Sequence, residues 1–349
     1  MTERVKTCAV VAILLCLPGI ASAQAPAAAG AVANPHLVTY EGTSGPGAGK
    51  HIVLIAGDHE YRSEEALPAL ARILARHYGF KCSVFITTNP TTGFIEPGSS
   101  HIAGLEALKS ADLLVIATRF QEFPDTEMRH IVDYIDRGGP VVGFRTATHA
   151  FQIRRPGSPY AKYTWNNKAP DYTGGFGRQI LGETWVTHYG SNHKQSSRLV
   201  IEPTNASHPI LRGVRDMWVE SGGYTAYPME GSVVLARGRI LDGMTPDAPA
   251  AAGKEELPVA WTRSYRGASG REGRVFTTTH GASEDLRNEG FRRLSVNGIL
   301  WAAGLESAIT GTNNVSLVGP YNPTRYDFDG WMKGVRPSDM AGWESAIPR

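Results

Sequence analysis

Cysteine is scarce in this chain of 349 residues, which contains three of them. Cys8 and Cys16 lie in an N-terminal segment that we interpret as a cleaved signal, so the mature chain would keep Cys82 alone and form no internal disulfide. Cys82 lies in an alternating apolar stretch, residues 80–86, which is typical of a strand. We therefore expect Cys82 to be a small core residue and not a reactive nucleophile.

The N-terminal segment also lacks an apolar run long enough to span a membrane. It carries Arg4 and Lys6, then an apolar run over residues 9–17, then the small residues Ala21–Ala23. This is the layout of a cleavable secretory signal, and the run is well short of the ~20 apolar residues that a membrane anchor needs. We therefore predict a signal peptide at residues 1–23, a periplasmic or secreted protein, and no stable membrane anchor.

A large excess of charge of one sign is missing as well. The formal net charge is +2, and no stripe of basic residues interleaved with aromatics is visible. These features are typical of nucleic-acid-binding proteins, so we predict no nucleic-acid partner. The glycine-rich run Gly174–Gly177 does not follow a convincing strand, so a phosphate-binding loop is not predicted there.

The remaining chain is long enough for one large domain with flanking segments. Residues 24–49 begin with an Ala-, Pro- and Gly-rich stretch and are predicted to be a flexible lead-in. Residues 50–305 carry the regular apolar patterns of the domain. Residues 306–349 contain several Pro and Gly but also Tyr and Trp, so we expect a C-terminal extension that packs on the domain through aromatic anchors.

Strand and helix patterns alternate along the first half of the domain. The predicted strands cover residues 51–56, 81–86, 112–117 and 140–144, and the predicted helices cover residues 63–74, 102–110 and 125–136. A strand at 274–279 and an apolar helix at 289–303 follow later. This alternation predicts an α/β fold with a doubly wound, mostly parallel sheet and helices on both faces.

The region between these two regular parts is less periodic. Residues 153–258 are rich in aromatics, Gly and Pro, with short apparent strands at 198–202 and 233–240. A further short strand is predicted at 259–262. We interpret the region as irregular insertions that lie over the sheet.

Polar side chains follow directly after several predicted strands. In a doubly wound sheet the ligand crevice lies beyond the carboxyl ends of the strands, so these side chains are expected to converge. They are His59 and Glu60, Arg119, Arg145, Thr146 and His149, and His280 with Glu284. A loop with Trp185, His188 and His193 would join them if it folds over the same edge. His36, His77 and His130 lie on the lead-in or on helices, and we expect them at the surface.

Five sequence blocks resemble, in order, those of the trehalose-utilisation (ThuA-like) family. They are DHEYRSEEALPALARIL, GGPVVGFRTATHAF, GETWVTHYGSNHK, HPILRGV and TTTHGASEDLRNEGFRRLSVNGILWAAGL, and they span about residues 50 to 305. The resemblance implies a flavodoxin-like, glutamine-amidotransferase-like fold, whose amidotransferase members carry a nucleophilic Cys at the strand-to-helix elbow. Arg145 occupies that position here, although His280 lies near the expected His. Without a thiolate, glutaminase chemistry cannot run.

The same resemblance implies a small carbohydrate ligand, a disaccharide or its keto derivative. The first hypothesis is an enzyme, such as a keto-sugar isomerase, lyase or hydrolase, in which His149 or His280 is the general acid or base and His59 and Glu60 orient it. Its substrate-binding residues would be Arg145, Thr146, Arg119, Trp185, His188, His193 and Glu284. No paired carboxylates of an ordinary glycosidase are identifiable.

Two alternatives remain open at this level. A divalent metal could be held by imidazoles, with His59, His149, His188 and His280 as the candidate ligands and Glu60 as a possible carboxylate ligand, although no spacing requires it. The protein could also bind a sugar without turnover. No cofactor is certain from the sequence, and the oligomeric state stays open.

Overall fold

The computed structural model describes residues 1–2 and 34–348. The predicted signal peptide therefore lies almost entirely outside the described residues. Among the described residues, no helix has the length and apolar character needed to cross a membrane.

Twelve strands and three α-helices make up the regular structure of the described part. The strands are β1 (Leu37–Glu41), β2 (His51–Gly57), β3 (Lys81–Ile86), β4 (Leu113–Thr118), β5 (Val141–Phe144), β6 (His188–Tyr189), β7 (Ser196–Ile201), β8 (Met217–Val219), β9 (Gly223–Tyr224), β10 (Val233–Leu241), β11 (Leu257–Arg266) and β12 (Glu272–Thr278). The helices are α1 (Ser63–Tyr78), α2 (Asp125–Asp136) and α3 (Glu289–Ala302).

Five parallel strands form the centre of a ten-stranded sheet. Their spatial order is β3-β2-β4-β5-β12, with parallel pairing throughout. Numbered along the chain, this is the 2-1-3-4-5 order of flavodoxin-like folds, in which the strand order reverses between the first and third strands. The predicted α/β fold class with a doubly wound, mostly parallel sheet is confirmed.

The strands are buried on both faces because helices cover each side. Ile52, Leu54 and Ala56 of β2 point into a core shared with α1 and α3, whereas Val53 and Ile55 point into a second core shared with α2. This division follows from the two-residue period of a strand. It explains why the sequence of β2 is a continuous apolar run and not an alternating one.

The antiparallel half of the sheet differs from the prediction. Strands β11, β10, β7 and β8 pair antiparallel in that order beyond β12. The region predicted as insertions over the sheet therefore partly extends the sheet itself. The strand predicted at 259–262 runs from Leu257 to Arg266, and the helix predicted at 102–110 is a single 3-10 segment, Leu105–Ser110. β11 is longer than predicted because it pairs with neighbouring strands, and local periodicity does not report such pairing.

The segments that flank the domain are ordered against it. Leu37–Glu41, within the predicted flexible lead-in, form β1 and pair antiparallel with β3. In the C-terminal extension, Val315, Val335 and Met340 pack into the core under α1 and α3. Tertiary contacts order both segments although their composition is loop-like.

The structure tests the burial predicted for Cys82, His36 and His130. Cys82 is 0% exposed and belongs to the core, as predicted. His36 and His130 are buried, 2% and 8% exposed, so their predicted surface location was wrong. His36 is covered because β1 adds to the sheet edge and its ring packs edge-on against His101.

Candidate functional site

The loops after β2, β4 and β5 meet at one edge of the sheet, where the strand order reverses. This is the position at which flavodoxin-like folds bind ligands. The candidate residues predicted after these strands therefore do converge, and several other side chains join them.

Asp58 organises the loop that follows β2. Its Oδ1 accepts hydrogen bonds from the backbone N–H groups of Glu60 (2.9 Å) and Tyr61 (3.2 Å). Its Oδ2 accepts a 2.8 Å hydrogen bond from the hydroxyl of Thr146, which follows β5. Thr146 is 0% exposed, so its hydroxyl ties two loops together, and the structure places it below the predicted substrate-binding surface.

Arg119 joins His59 and Glu60 into one cluster. Its Nη1 lies 2.9 Å from Nε2 of His59, and its Nε lies 3.4 Å from Oε2 of Glu60. Burial and the Arg119 charge lower the pKa of His59, so the ring is neutral near pH 7. Burial and the nearby Asp58 raise the pKa of Glu60.

Arg145 stands at the elbow after β5 with a positive φ of 48°. Its guanidinium donates from Nη1 to the carbonyl of Thr279 at 2.8 Å and also to the carbonyl of Gly222. The rings of Tyr61 and Tyr224 lie 3.9 Å and 4.4 Å from the guanidinium carbon. Arg145 is 1% exposed, so these contacts place it beneath the surface, where it joins the loops that carry Tyr61, Gly222 and Thr279.

His149 lies in an aromatic enclosure. Its ring centroid is 4.8 Å from that of Phe120, 5.4 Å from Trp185 and 5.5 Å from Tyr224. Nδ1 lies 3.2 Å from the hydroxyl of Thr148, and among the described residues no hydrogen bond engages Nε2. Burial, with Arg119 and Arg145 as nearby cations, lowers the pKa of His149 well below its usual value.

The loop from Trp185 to Lys194 folds over the same edge in part. Nε2 of His188 lies 3.2 Å from the hydroxyl of Tyr61, and Asn192 donates to that hydroxyl at 2.8 Å and to Oε1 of Glu60 at 3.3 Å. Burial, followed by the charges of Arg145 and Arg119, lowers the pKa of His188 to about 4. The loop predicted to fold over this edge therefore joins the site through Trp185, His188 and Asn192.

His193 is at the margin of this arrangement. Its ring stacks on Tyr326 at 4.5 Å, and its Nδ1 accepts a 3.1 Å hydrogen bond from Nε of Arg325. It thus contacts the C-terminal extension and not the aromatic enclosure of His149.

His280 is fully buried behind the candidate site. It is 0% exposed, and its Nδ1 lies 3.2 Å from the hydroxyl of Ser221, which donates to Oδ2 of Asp285 at 2.6 Å. Its Nε2 abuts Gly223, where a Cβ would approach to 3.4 Å. His149 is nearly as buried, at 2% exposed, but its ring contacts Trp185, which is only partly buried. Of the two histidines, His149 therefore lies nearer to the surface of the candidate site.

Glu284 holds the C-terminal extension. Its Oε2 accepts a 2.9 Å hydrogen bond from the backbone N–H of Tyr326, and burial raises its pKa to about 7. The extension continues past the site: Phe328 packs against the ring of His59, and its ring lies 5.0 Å from the guanidinium carbon of Arg119. Sequence reasoning missed Phe328 because it is distant along the chain, although the aromatic spacing of the tail indicated that it packs on the domain.

Backbone strain concentrates in this region. Seven described residues other than glycine have a positive φ, and five of them border the site. They are Arg62, Phe120, Arg145, His193 and Asp329. Such conformations cost roughly 1–3 kcal/mol each and accumulate at functional sites, where the surrounding structure holds side chains in required positions.

The candidate imidazoles do not assemble into a metal site. In the described part of the chain, no group of three or more His, Cys, Asp or Glu side chains has an arrangement that could hold a metal ion. Tyrosine, tryptophan and arginine side chains separate His59, His149, His188 and His280, so the predicted ligand set is not brought together.

Comparison with known proteins identifies the family of this chain. A family model described as trehalose utilisation matches residues 52–302, and no similar curated protein was found. A solved structure of a putative ThuA-like protein from Parabacteroides merdae is 15% identical, with a TM-score of 0.46, and the alignment covers 80% of this chain and 95% of that one. A cytoplasmic protein from Salmonella typhimurium is 12% identical, with a TM-score of 0.39 and coverage of 73% and 98%.

These two structures resemble this chain at low identity, so the membership is carried by the family match, which spans well over half of the sequence. The chain belongs to the trehalose-utilisation (ThuA) family.

Proposed function

We propose that the crevice above β2, β4 and β5 binds a small carbohydrate and that His149 transfers a proton during its conversion. The observation that carries this proposal is the alternation of aromatic faces with buried polar atoms that have no protein partner. Sugars combine apolar ring faces with hydroxyl groups, so they require both kinds of surface at once.

The unpartnered polar atoms lie around the His149 enclosure. Without a hydrogen-bond partner among the described residues are Nδ1 of His59, Nε1 of Trp165, Nε1 of Trp185, Oδ1 of Asn192 and the hydroxyl of Tyr224. A buried polar group without a partner costs about 1–3 kcal/mol. Hydroxyl groups both donate and accept hydrogen bonds, so a polyhydroxylated ligand suits this mixed set of donors and acceptors.

Aromatic side chains supply the complementary surface. The rings of Trp165 and Trp185 meet at 5.5 Å, and Phe120 lies 5.6 Å from Trp165. Trp185 is only partly buried, so part of its surface remains available to a ligand. Isolated aromatic residues usually serve packing, but here they surround a single imidazole.

His149 is suited to act as a general base. Its depressed pKa leaves the ring neutral at pH 7, and in the tautomer with the proton on Nδ1, which Thr148 can accept, the lone pair of Nε2 is free. In the reaction that we propose, Nε2 removes a proton from a carbon next to a carbonyl of a keto-sugar, which gives an imidazolium and an enolate. In an isomerisation, the hydroxyl proton of the deprotonated carbon moves to the enolate oxygen, and the imidazolium returns its proton to the former carbonyl carbon. In an elimination, the carbonyl re-forms, the carbon–oxygen bond on the next carbon breaks, and the departing oxygen takes the proton from the imidazolium.

The neighbouring cations suit that step. The guanidinium carbons of Arg119 and Arg145 lie 4.7 Å from the ring of Phe120 and 4.4 Å from the ring of Tyr224, and both rings contact His149. In the proposed reaction these two cations stabilise the negative charge that develops on the substrate. His59 and Glu60 hold the Arg119 side chain in place.

The test is binding and turnover by the purified protein with trehalose and its 3-keto derivative, measured by calorimetry and by product analysis. His149→Gln should abolish turnover and leave sugar affinity within a few-fold of the parent. His77→Gln, a histidine on α1 that contacts Ser316 of the extension, is the matched control and should change neither quantity. Binding without turnover by the unaltered protein would identify a sugar-recognition protein, and the absence of binding to both sugars would refute the proposal.

A further inference from the structure

Phe328 is a large apolar side chain that remains 52% exposed beside the candidate site. Its ring centroid lies 5.7 Å from that of His59, at an interplanar angle of 48°, and 5.0 Å from the guanidinium carbon of Arg119. Part of the ring thus covers the His59 and Arg119 cluster, and the rest faces solvent.

The backbone around Phe328 is tightly held. Thr324 donates from its N–H and from its hydroxyl to the Glu65 carboxylate, at 2.8 Å and 2.6 Å. Beyond Phe328, the N–H of Asp329 donates to the carbonyl of His59 at 3.1 Å, and Asp329 has a positive φ of 55°. Tyr326, between these two points, stacks on Tyr61 at 5.3 Å.

This anchoring determines where the exposed ring lies. The segment that precedes Phe328 is bonded to Glu65 of α1, and the residue that follows it is bonded to His59 of the site, so the backbone of Phe328 is held on both sides. A rigid exposed aromatic ring is the surface on which the apolar face of a sugar ring stacks at low entropic cost.

Arg119 links Phe328 to the aromatic enclosure of His149. The guanidinium carbon of Arg119 lies 4.7 Å from the ring centroid of Phe120 and 5.0 Å from that of Phe328. Phe120 in turn contacts His149. Phe328 is 52% exposed and His149 is 2% exposed, so Phe328 lies on the solvent side of Arg119 and the His149 enclosure on the inner side.

We propose that Phe328 is the platform of an outer subsite that binds the second ring of a disaccharide-sized ligand whose first ring lies beside His149. This proposal rests on the carbohydrate function proposed above. It makes the C-terminal extension a determinant of ligand size.

The experiment compares trehalose with methyl α-D-glucopyranoside, a one-ring analogue, by calorimetry on the full chain. Phe328→Ala should weaken trehalose binding by about tenfold, the loss expected for one aromatic stacking contact, and leave the affinity for the one-ring analogue unchanged. Phe328→Trp, which restores an aromatic face, should recover the preference for two rings. Met332→Ala, an exposed apolar residue of the same extension, is the matched control and should alter neither affinity.

Each outcome has one meaning. If Phe328→Ala lowers both affinities equally, or neither, the outer subsite is refuted while the carbohydrate function stands. If the unaltered protein binds neither sugar, the carbohydrate function fails and the subsite fails with it. A thermal melt of each variant establishes that the compared proteins are folded.

Discussion

The guanidinium of Arg119 donates a 2.9 Å hydrogen bond from Nη1 to Nε2 of His59. Arginine has donors and no acceptor, so Nε2 of His59 is unprotonated, and the neutral ring carries its proton on Nδ1. Nδ1 has no partner among the described residues. The Arg119–His59 pair thus holds a single N–H donor in a fixed orientation.

The first prediction concerns this tautomer. We expect ¹⁵N spectra of His59 at pH 7 to show Nδ1 protonated and Nε2 unprotonated, because the Arg119 donor occupies Nε2. In Arg119→Gln the titration midpoint of His59 should rise, because a positive charge that lowers its pKa is removed. An unchanged or lower midpoint would contradict the assigned contact.

The second prediction concerns the stability contributed by Arg145. Arg145→Gln should lower the free energy of unfolding by about 3 kcal/mol or more, because two buried carbonyl groups lose a charged donor and two tyrosine rings lose a cation. Urea denaturation measures the change. Arg266→Gln is the control: Arg266 pairs with Glu272 at an exposed position, so its loss should cost less than about 1 kcal/mol. Equal losses of unfolding free energy in the two variants would mean that the buried contacts of Arg145 do not stabilise the fold.

The third prediction concerns stability in mild acid. Burial is the main reason that the pKa of His149 is depressed, whereas in the unfolded chain it returns to about 6.5. Below pH 6.5 the unfolded chain therefore binds a proton that the folded chain does not. His149 should lower stability by about 1.4 kcal/mol per pH unit as the pH falls, until its folded pKa is reached.

His280 has a pKa depressed in the same way and adds to the slope. The measurement is therefore a difference between the parent and His149→Gln. Urea titrations from pH 7.5 to pH 5 measure the free energy of unfolding at each pH. Its slope against pH should be smaller in the variant than in the parent, by the equivalent of close to one bound proton. Parallel curves for the two proteins would show that His149 is protonated in the folded state.

The fourth prediction concerns the tie between the loops after β2 and β5. Thr146→Val removes the hydroxyl that donates to Asp58 and should cost about 1.5–3 kcal/mol, the usual value for a hydrogen bond to a charged group. Thr310→Val, at an exposed position, should change stability by less than about 0.5 kcal/mol. If Thr146→Val also lowered the free energy of unfolding by less than about 0.5 kcal/mol, Asp58 would not organise the two loops.

From the sequence, the candidate site could be predicted only as a set of residues that directly follow the strands. The apolar runs of β2, β4 and β5 were sufficient to place His59, Arg119 and His149 at one edge, because parallel strands in a doubly wound sheet end on the same side. The difference between His149 and His280 was not predictable. Both follow strands, but one borders an aromatic enclosure, whereas the other is covered by the segment that contains Ser221 and Gly223.

The sequence by itself determined the central α/β architecture. Continuous apolar runs and amphipathic helices carry their periodicity locally, so the five parallel strands and three helices were recognisable without any long-range information. The position of Arg145 directly after β5 was also visible there.

Only the tertiary structure decided how distant segments complete the site. The placement of Phe328 against His59, the folding of His188 and Asn192 over Tyr61, and the extension of the sheet by antiparallel strands all depend on contacts between residues far apart in the chain. Such contacts depend on shape and burial in three dimensions, and no local pattern of residue types encodes them.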